Sequence, residues 1–334
     1  MTKKIKDVDY LGISARVRAM ENDLLTTEQF DQLLGAKSDP EVEKLLQSFG
    51  YEQLDPAHPD AMDAALEQDR ARVLEDLGAG IPDAGFLDVF KIKYDYHNVK
   101  AVLKAEAMET DAGEMLSELG RVSATELEEA LQSGETANLP GLLEEAAAEG
   151  REILSATRDP QLADAALDRW YFRDMLQTAD KTGSEFLRGY VRVQLDCANL
   201  RTLVRTLRMG KNADFLRGVL FAGGDVDEGE ILRVSANGGN GLAELYAPTA
   251  LAAAAEAGAE ALRGGHLTEF EKRCDDAVSA YLEAARLIPF GEAPVLSYLA
   301  MRETEYMNLR IVLLGHAAGI PADVIRSRLR AGYQ

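Results

Sequence analysis

The residues in this sequence whose types and spacing could act together occur three times. Asp95-Tyr96-His97-Asn98-Val99-Lys100, Asp196-Cys197-Ala198-Asn199-Leu200-Arg201 and Glu305-Tyr306-Met307-Asn308-Leu309-Arg310 share one form: acid, two variable positions, asparagine, aliphatic, base. On a helix an acid and an asparagine three apart share a face, and the base two beyond points to roughly the opposite side. Each acid also has a base about one turn earlier: Lys91, Arg192 and Arg302. Two readings stand. A polar pair on an otherwise apolar helix must be satisfied and so fixes how helices cross. Alternatively, three equivalent helices present polar groups round a common axis to one partner.

Enzyme chemistry finds little support. A phosphate-cradling loop needs Gly, four residues, then Gly-Lys-Ser or Thr; Gly210-Lys211 is followed by Asn212, with Arg205 where the first glycine belongs. The histidines His58, His97, His266 and His316 have no second His or Cys at ligand spacing, so neither a zinc site nor any other metal is expected. Gly238-Gly239-Asn240-Gly241 follows no strand and reads as a flexible linker. Cys197 reads as a small buried hydrophobe rather than a nucleophile. No catalytic residue and no cofactor is assigned.

The elements that must carry the triple motif are helices. Apolar residues recur at helical spacing, as in Leu195, Ala198, Leu203 and Leu207, prolines number only 10, and alternating strand-like runs are missing, so the fold class is all-α. Helix starts are marked by Thr26 with Gln29, Ser123 with Glu126 and Asp227 with Glu230, each inside a hydrophobic staple: Leu25 with Phe30, Val122 with Leu127, Val226 with Ile231. A looser version is Ile320 with Ile325 around Pro321. The first two motifs lie 101 residues apart, an offset that also matches Asp63-Ala64-Ala65-Leu66 to Asp164-Ala165-Ala166-Leu167; the next offset is 109. Three copies of one helical unit follow, at 1–108, 109–213 and 214–334. The motif helices of such copies are expected to be related by rotations of about 120°.

Charge is lopsided. The chain has 334 residues, with 36 Lys plus Arg against 57 Asp plus Glu, a net charge of −21 that speaks against nucleic acid as partner. Glu106 to Glu152 carries 13 acids and two arginines, whereas Phe186 to Arg217 carries seven bases and two acids. Arg201, Arg205 and Arg208 fall in one sector of a helical wheel and are the candidate partner-binding residues. The alternative is that they neutralise the acidic stretch within the same molecule. No run reaches the roughly 20 apolar residues of a membrane span, Met1 to Asp9 lacks the apolar core of a signal peptide, and there are two cysteines, so a cytoplasmic location is expected.

Further strings carry a resemblance. Tyr10-Leu11-Gly12-Ile13-Ser14-Ala15-Arg16-Val17-Arg18-Ala19-Met20-Glu21 with Leu24-Leu25, then Lys93 to Lys100, then Glu305 to Ile311, resemble the C-subunit of the prokaryotic V-type (A-type) ATPase/ATP synthase, relative of the eukaryotic d-subunit. The resemblance runs from about Tyr10 to Tyr333, and the middle motif matches less well, with Cys197 and Ala198 in place of aromatic and His. It implies three similar helical domains about a pseudo-threefold axis, forming a funnel. It also implies a non-catalytic rotor part that seats the central shaft, made of D- and F-type subunits, on the membrane proteolipid ring for ion transport. The protein would sit peripherally at the cytoplasmic face of the membrane, and nucleotide would be handled elsewhere in the complex.

Two other classes remain. An open helical-repeat scaffold would stack its units in a row with polar ends. An all-α enzyme with a scattered site would show a deep pocket with strongly shifted carboxylates.

Overall fold

Helices begin where the caps put them. The computed structural model describes residues 6–55, 58–83 and 85–330, so of the amino-terminal stretch read above Met1 to Ile5 lies outside the described residues, as does Tyr333. Thr26 opens a helix with a complete capping box: its hydroxyl accepts the Gln29 N–H at 3.3 Å and the Gln29 side chain accepts the Thr26 N–H at 2.8 Å. Ser123 and Asp227 likewise accept the N–H of Glu126 and of Glu230, while the Glu230 carboxylate goes to Arg233.

From these starts the helices follow one another along the chain. After α1 (Leu11–Met20) come α2 (Thr27–Gly35), α3 (Asp39–Ser48), α4 (Pro59–Gly78) and α5 (Gly85–Met108), the last carrying the first motif. The second series is α6 (Ala124–Ser133), α7 (Leu143–Thr157), α8 (Pro160–Thr182), α9 (Glu185–Arg208) and the short α10 (Ala213–Val219). The third is α11 (Glu228–Ala236), α12 (Leu242–Tyr246), α13 (Ala252–Leu262), α14 (Leu267–Glu283), α15 (Glu292–Ala317) and α16 (Ala322–Arg328). Helices hold 75% of the residues, and no strand occurs among those described, which makes the fold all-α.

Packing divides the chain into two compact units, Met1–Pro82 together with Gly265–Gln334, and Asp83–Gly264. In the first, the apolar faces of α2, α3 and α4 close on α15 and α16 around Phe30, Leu33, Leu46, Leu66, Tyr306 and Leu309. Gly315 lets α16 dock: a Cβ there would meet the Ile325 side chain at 2.7 Å. In the second unit α5 packs on α6, α7 and α8, and α9 on α8, α10, α11 and α13. Fully burying a large aliphatic side chain contributes about 1.5 to 3 kcal/mol, and each motif helix buries several, such as Ile92, Val99 and Val102 on α5.

The run Gly238 to Gly241 is a built corner rather than the flexible linker expected. Gly238, Gly239 and Gly241 all take positive φ, which only glycine adopts cheaply, and a Cβ on Gly239 would collide with Leu262 and press on Leu207. Gly239 in particular stands where the α11–α12 turn lies tight against Leu207 on α9 and Leu262 on α13.

Candidate functional site

The three motif asparagines are placed alike. Asn98 on α5 is fully buried; its Nδ2 donates to the Ser117 carbonyl at 2.8 Å, and its Oδ1 accepts the Ser117 N–H at 2.9 Å. Asn199 on α9 holds Phe221 in the same two-pronged way at 2.8 and 2.9 Å, and Asn308 on α15 holds Arg330 at 3.1 and 2.9 Å. A carboxamide matches one residue's backbone donor and acceptor together, which a carboxylate or an aliphatic cannot. Each asparagine thereby satisfies a segment that has left its helix and turned back along it.

The acids, one turn earlier on the same face, hold the continuation of that segment at the staple before the next cap. Asp95 accepts the Arg121 N–H at 2.8 Å, and Asp196 accepts those of Asp225 and Val226 at 3.0 and 3.2 Å. At the third motif Glu305 takes the N–H of Leu25, the staple residue before the Thr26 cap, at 2.5 Å. Gly120 and Gly224 stand three residues before the caps Ser123 and Asp227, and a Cβ on either would run into the Asp95 or Asp196 carboxylate. Before Thr26 that place is Asp23, and there the acid is Glu305, longer than aspartate by one methylene.

The charged partners differ from those expected. Asp95 pairs with Arg121, whose Nε is 2.5 Å from it, rather than with Lys91, because that guanidinium arrives with the docked segment and is itself buried. Arg121 continues to Asp174 on α8, its two Nη atoms at 3.2 and 2.7 Å from the carboxylate, and the Tyr96 hydroxyl donates to Asp174 as well. Arg192 bridges Asp225 rather than its own motif acid. Only Arg302 keeps the expected local pairing, 2.5 Å from Glu305, and it also reaches Asp69 on α4 at 2.8 Å. Tyr306, next to its acid as Tyr96 is, donates to Asp69 at 2.5 Å, and the Tyr51 hydroxyl donates to Glu305.

One arrangement of acid, arginine, aspartate and tyrosine is thus built twice, with the arginine drawn from different places in the chain. In the middle copy Cys197, fully buried, replaces the tyrosine. Burial pushes the Asp95 and Glu305 carboxyls up, with Arg121 and Arg302 opposing it. Asp196 has two backbone donors and only a more distant cation in Arg192, and burial raises it to about 6. Asp69 is driven up by burial too, but the Tyr306 hydroxyl and Arg302 outweigh that and hold it below the carboxylate range.

The motif bases leave these joints on the other side of the helix. Lys100 is 2.5 Å from Asp168, and Arg310 is 2.8 Å from Asp63. Arg201 is half-buried, while Arg205 and Arg208 are exposed at the end of α9, where Arg208 Nη1 donates to the Ala261 carbonyl at 2.6 Å. Elsewhere in the basic stretch Arg188 pairs with Asp180 and Glu185, Arg192 with Asp225 and Arg217 with Asp214, none of them in the acidic stretch Glu106 to Glu152. The histidines serve helix faces and ends: His97 Nε2 lies 2.8 Å from the Met115 carbonyl, and His316 Nδ1 lies 3.3 Å from Asp39. Among the described residues no group of three or more His, Cys, Asp or Glu could hold a metal ion, and no helix is long and apolar enough to cross a membrane.

Sequence comparison gives these joints a family. The model of the ATP synthase (C/AC39) subunit family matches residues 13–328, nearly the whole chain and all three motifs. The chain belongs to that family. Its relatives include the C-subunit of the V-type sodium ATPase of Enterococcus hirae, 22% identical over 98% of this chain and 99% of the relative. The C-subunit of the A-type ATP synthase of Methanocaldococcus jannaschii is 24% identical over 98% and 88%, and that of the V-type ATP synthase of Thermus thermophilus 25% identical over 94% and 96%. The strings that suggested the C/AC39 family sit on α1, α5 and α15, and the last two are the helices that carry the acid, arginine, aspartate and tyrosine clusters.

Proposed function

We propose that this chain is the non-catalytic central-stalk subunit of a V-type ATPase/ATP synthase, peripheral at the cytoplasmic face of the membrane. It joins the central shaft, D- and F-type subunits, to the membrane proteolipid ring and so couples rotation to ion transport. Family membership over residues 13–328 is the observation that carries this reading. The three helical repeats, 1–108, 109–213 and 214–334, are taken to surround a pseudo-threefold axis as a funnel. Three equivalent asparagine and acid joints support that arrangement, the third of them completed by the first repeat through Leu25. An open row of repeats leaves its last unit without such a partner.

A part that transmits torque works by not yielding. Each joint is buried and hydrogen-bonded at both ends, so opening it leaves polar groups unsatisfied in a low-dielectric interior, at a cost of about 1 to 3 kcal/mol for each group. Arg201, Arg205 and Arg208 are proposed as part of a face that meets another subunit. The test is to purify the tagged chain from its host and identify what accompanies it. Shaft and ring subunits are expected together; their absence from an otherwise intact complex would contradict the assignment.

A further inference from the structure

The three joints are not equally locked. Gly120-Arg121-Val122-Ser123 and Gly224-Asp225-Val226-Asp227 hold the same place before their helices, so the middle joint has an aspartate where the first has the arginine that closes it. The backbones agree: the N–H of Arg121 goes to Asp95 and that of Asp225 to Asp196. The side chains do not. The Arg121 guanidinium bridges Asp95 and Asp174, and Arg302 does the same between Glu305 and Asp69. Asp196 is buried and bonds the N–H groups of Asp225 and Val226, and among the described residues no guanidinium or ammonium pairs with it. Cys197 stands where Tyr96 and Tyr306 reach across to a second aspartate.

The charges that bear on Asp196 add to this. Asp225 repels it, and Arg192, one turn back on α9, is drawn to the Asp225 carboxylate at 3.1 Å in a solvent-facing pair, which leaves its Nε buried without a hydrogen bond. Charges on the elements packed against α9 are directed elsewhere. On α8, Arg169 goes to the Gly218 carbonyl and Glu149, and Arg173 lies over the Trp170 ring. Asp214 and Arg217 on α10 pair with each other, as do Glu230 and Arg233 on α11, and α13 meets α9 at its far end through Arg208. What α8 brings to the docked segment is apolar: Phe172, 4.6 Å from the Phe221 ring, and Leu176 beside Gly223. An ionised Asp196 is therefore a buried charge held by two amide dipoles, and burial pushes its carboxyl up to about 6. Gly223, at φ 102°, and Gly224 give the segment a hinge, since glycine turns through conformations closed to other residues.

We infer that the middle joint is a proton-operated latch. With Asp196 protonated, the segment 220–226 stays docked on α9; with Asp196 ionised, it opens locally about Gly223 and Gly224 while the Asp95 and Glu305 joints stay closed. The docked form holds the extra proton, so opening becomes easier as pH rises from about 4 to about 6 and levels off above that. The α10–α11 connection then yields where the α5–α6 connection does not.

Hydrogen exchange of the full chain tests this, read at single amides between pH 4 and pH 7 and divided by the intrinsic rate at each pH. Opening at Phe221 and Val226 is expected to increase by about fiftyfold over that range, and at Ser117, Arg121 and Leu25 by less. Asp196→Asn should remove the pH dependence at Phe221 and Val226. Asp225→Arg, which supplies the arginine of the first joint, should slow exchange there at pH 7, a gain of protection that misfolding does not produce; circular dichroism checks helical content in both variants. Exchange at Phe221 and Val226 that ignores pH in wild type would overturn the latch, as would equal increases at all three joints or unchanged exchange in Asp225→Arg.

Discussion

Glu305 and Leu25 are 280 positions apart in sequence, and the carboxylate of the one accepts the backbone N–H of the other at 2.5 Å. The bond does for the third motif what Asp95 does with Arg121 and Asp196 with Val226, where the partner lies on the segment that follows the motif helix. In the third joint two separate segments share that role. Arg330 fills the place of Ser117 and Phe221, and Leu25 fills the place of the next staple.

The asparagine pairings predict a graded loss. Asn199→Leu strands the N–H and C=O of buried Phe221 and is expected to cost about 1 to 3 kcal/mol in urea denaturation. Asn308→Leu should cost less, because Arg330 is only half-buried and water can replace the lost bonds. Equal losses, or none at Asn199, would contradict the joint.

Arg121 lies between two buried carboxylates. Arg121→Met leaves Asp95 and Asp174 facing each other without a cation, at an expected cost of about 3 to 5 kcal/mol near neutral pH. The deficit should shrink as pH falls and the Asp95 carboxyl, already pushed up by burial, takes up a proton, and adding Asp174→Asn should restore part of it. Chemical denaturation at two pH values measures both effects.

Gly224 predicts a local clash. Gly224→Ala drives a methyl group into the Asp196 carboxylate and is expected to cost about 1 to 3 kcal/mol. Gly218→Ala, in α10 with nothing near the added Cβ, should stabilise by up to about 1 kcal/mol. Melting temperatures that move the same way in both variants would count against this packing.

Asp196 sets a pH dependence with a definite sign. Its folded-state value of about 6 exceeds the ordinary 3.8, so between those values the folded chain binds more protons than the unfolded one. Its contribution therefore falls as pH rises from about 4 to about 6, by about 2 to 3 kcal/mol in all. Asp196→Asn should flatten the stability profile in that window relative to wild type. Parallel profiles would contradict the assignment.

Much of this fold is legible in the sequence because its signals are local. Thr26, Ser123 and Asp227 announce helix starts through neighbours three to five residues away, and the asparagine motif repeats at offsets that need no structure to be seen. The partners of the motif acids are not legible in that way. Arg121, Asp174, Asp69 and Tyr51 are single polar residues 26 to 254 positions from what they bind, and nothing in their own surroundings marks them. Lys91 is the partner that helical spacing suggests for Asp95, because spacing is visible in a sequence and the arrival of a docked segment is not. One usable signal does stand there: glycine three residues before the cap where the motif acid is aspartate, and a larger residue where it is glutamate.

The central claim is that this chain carries torque from the shaft to the ring. Ion flux and ATP hydrolysis, measured side by side in vesicles reconstituted with and without it, test this most directly. Without the chain, hydrolysis by the soluble head should continue while pumping stops, and adding it back should restore flux. Undiminished pumping in its absence would contradict the account.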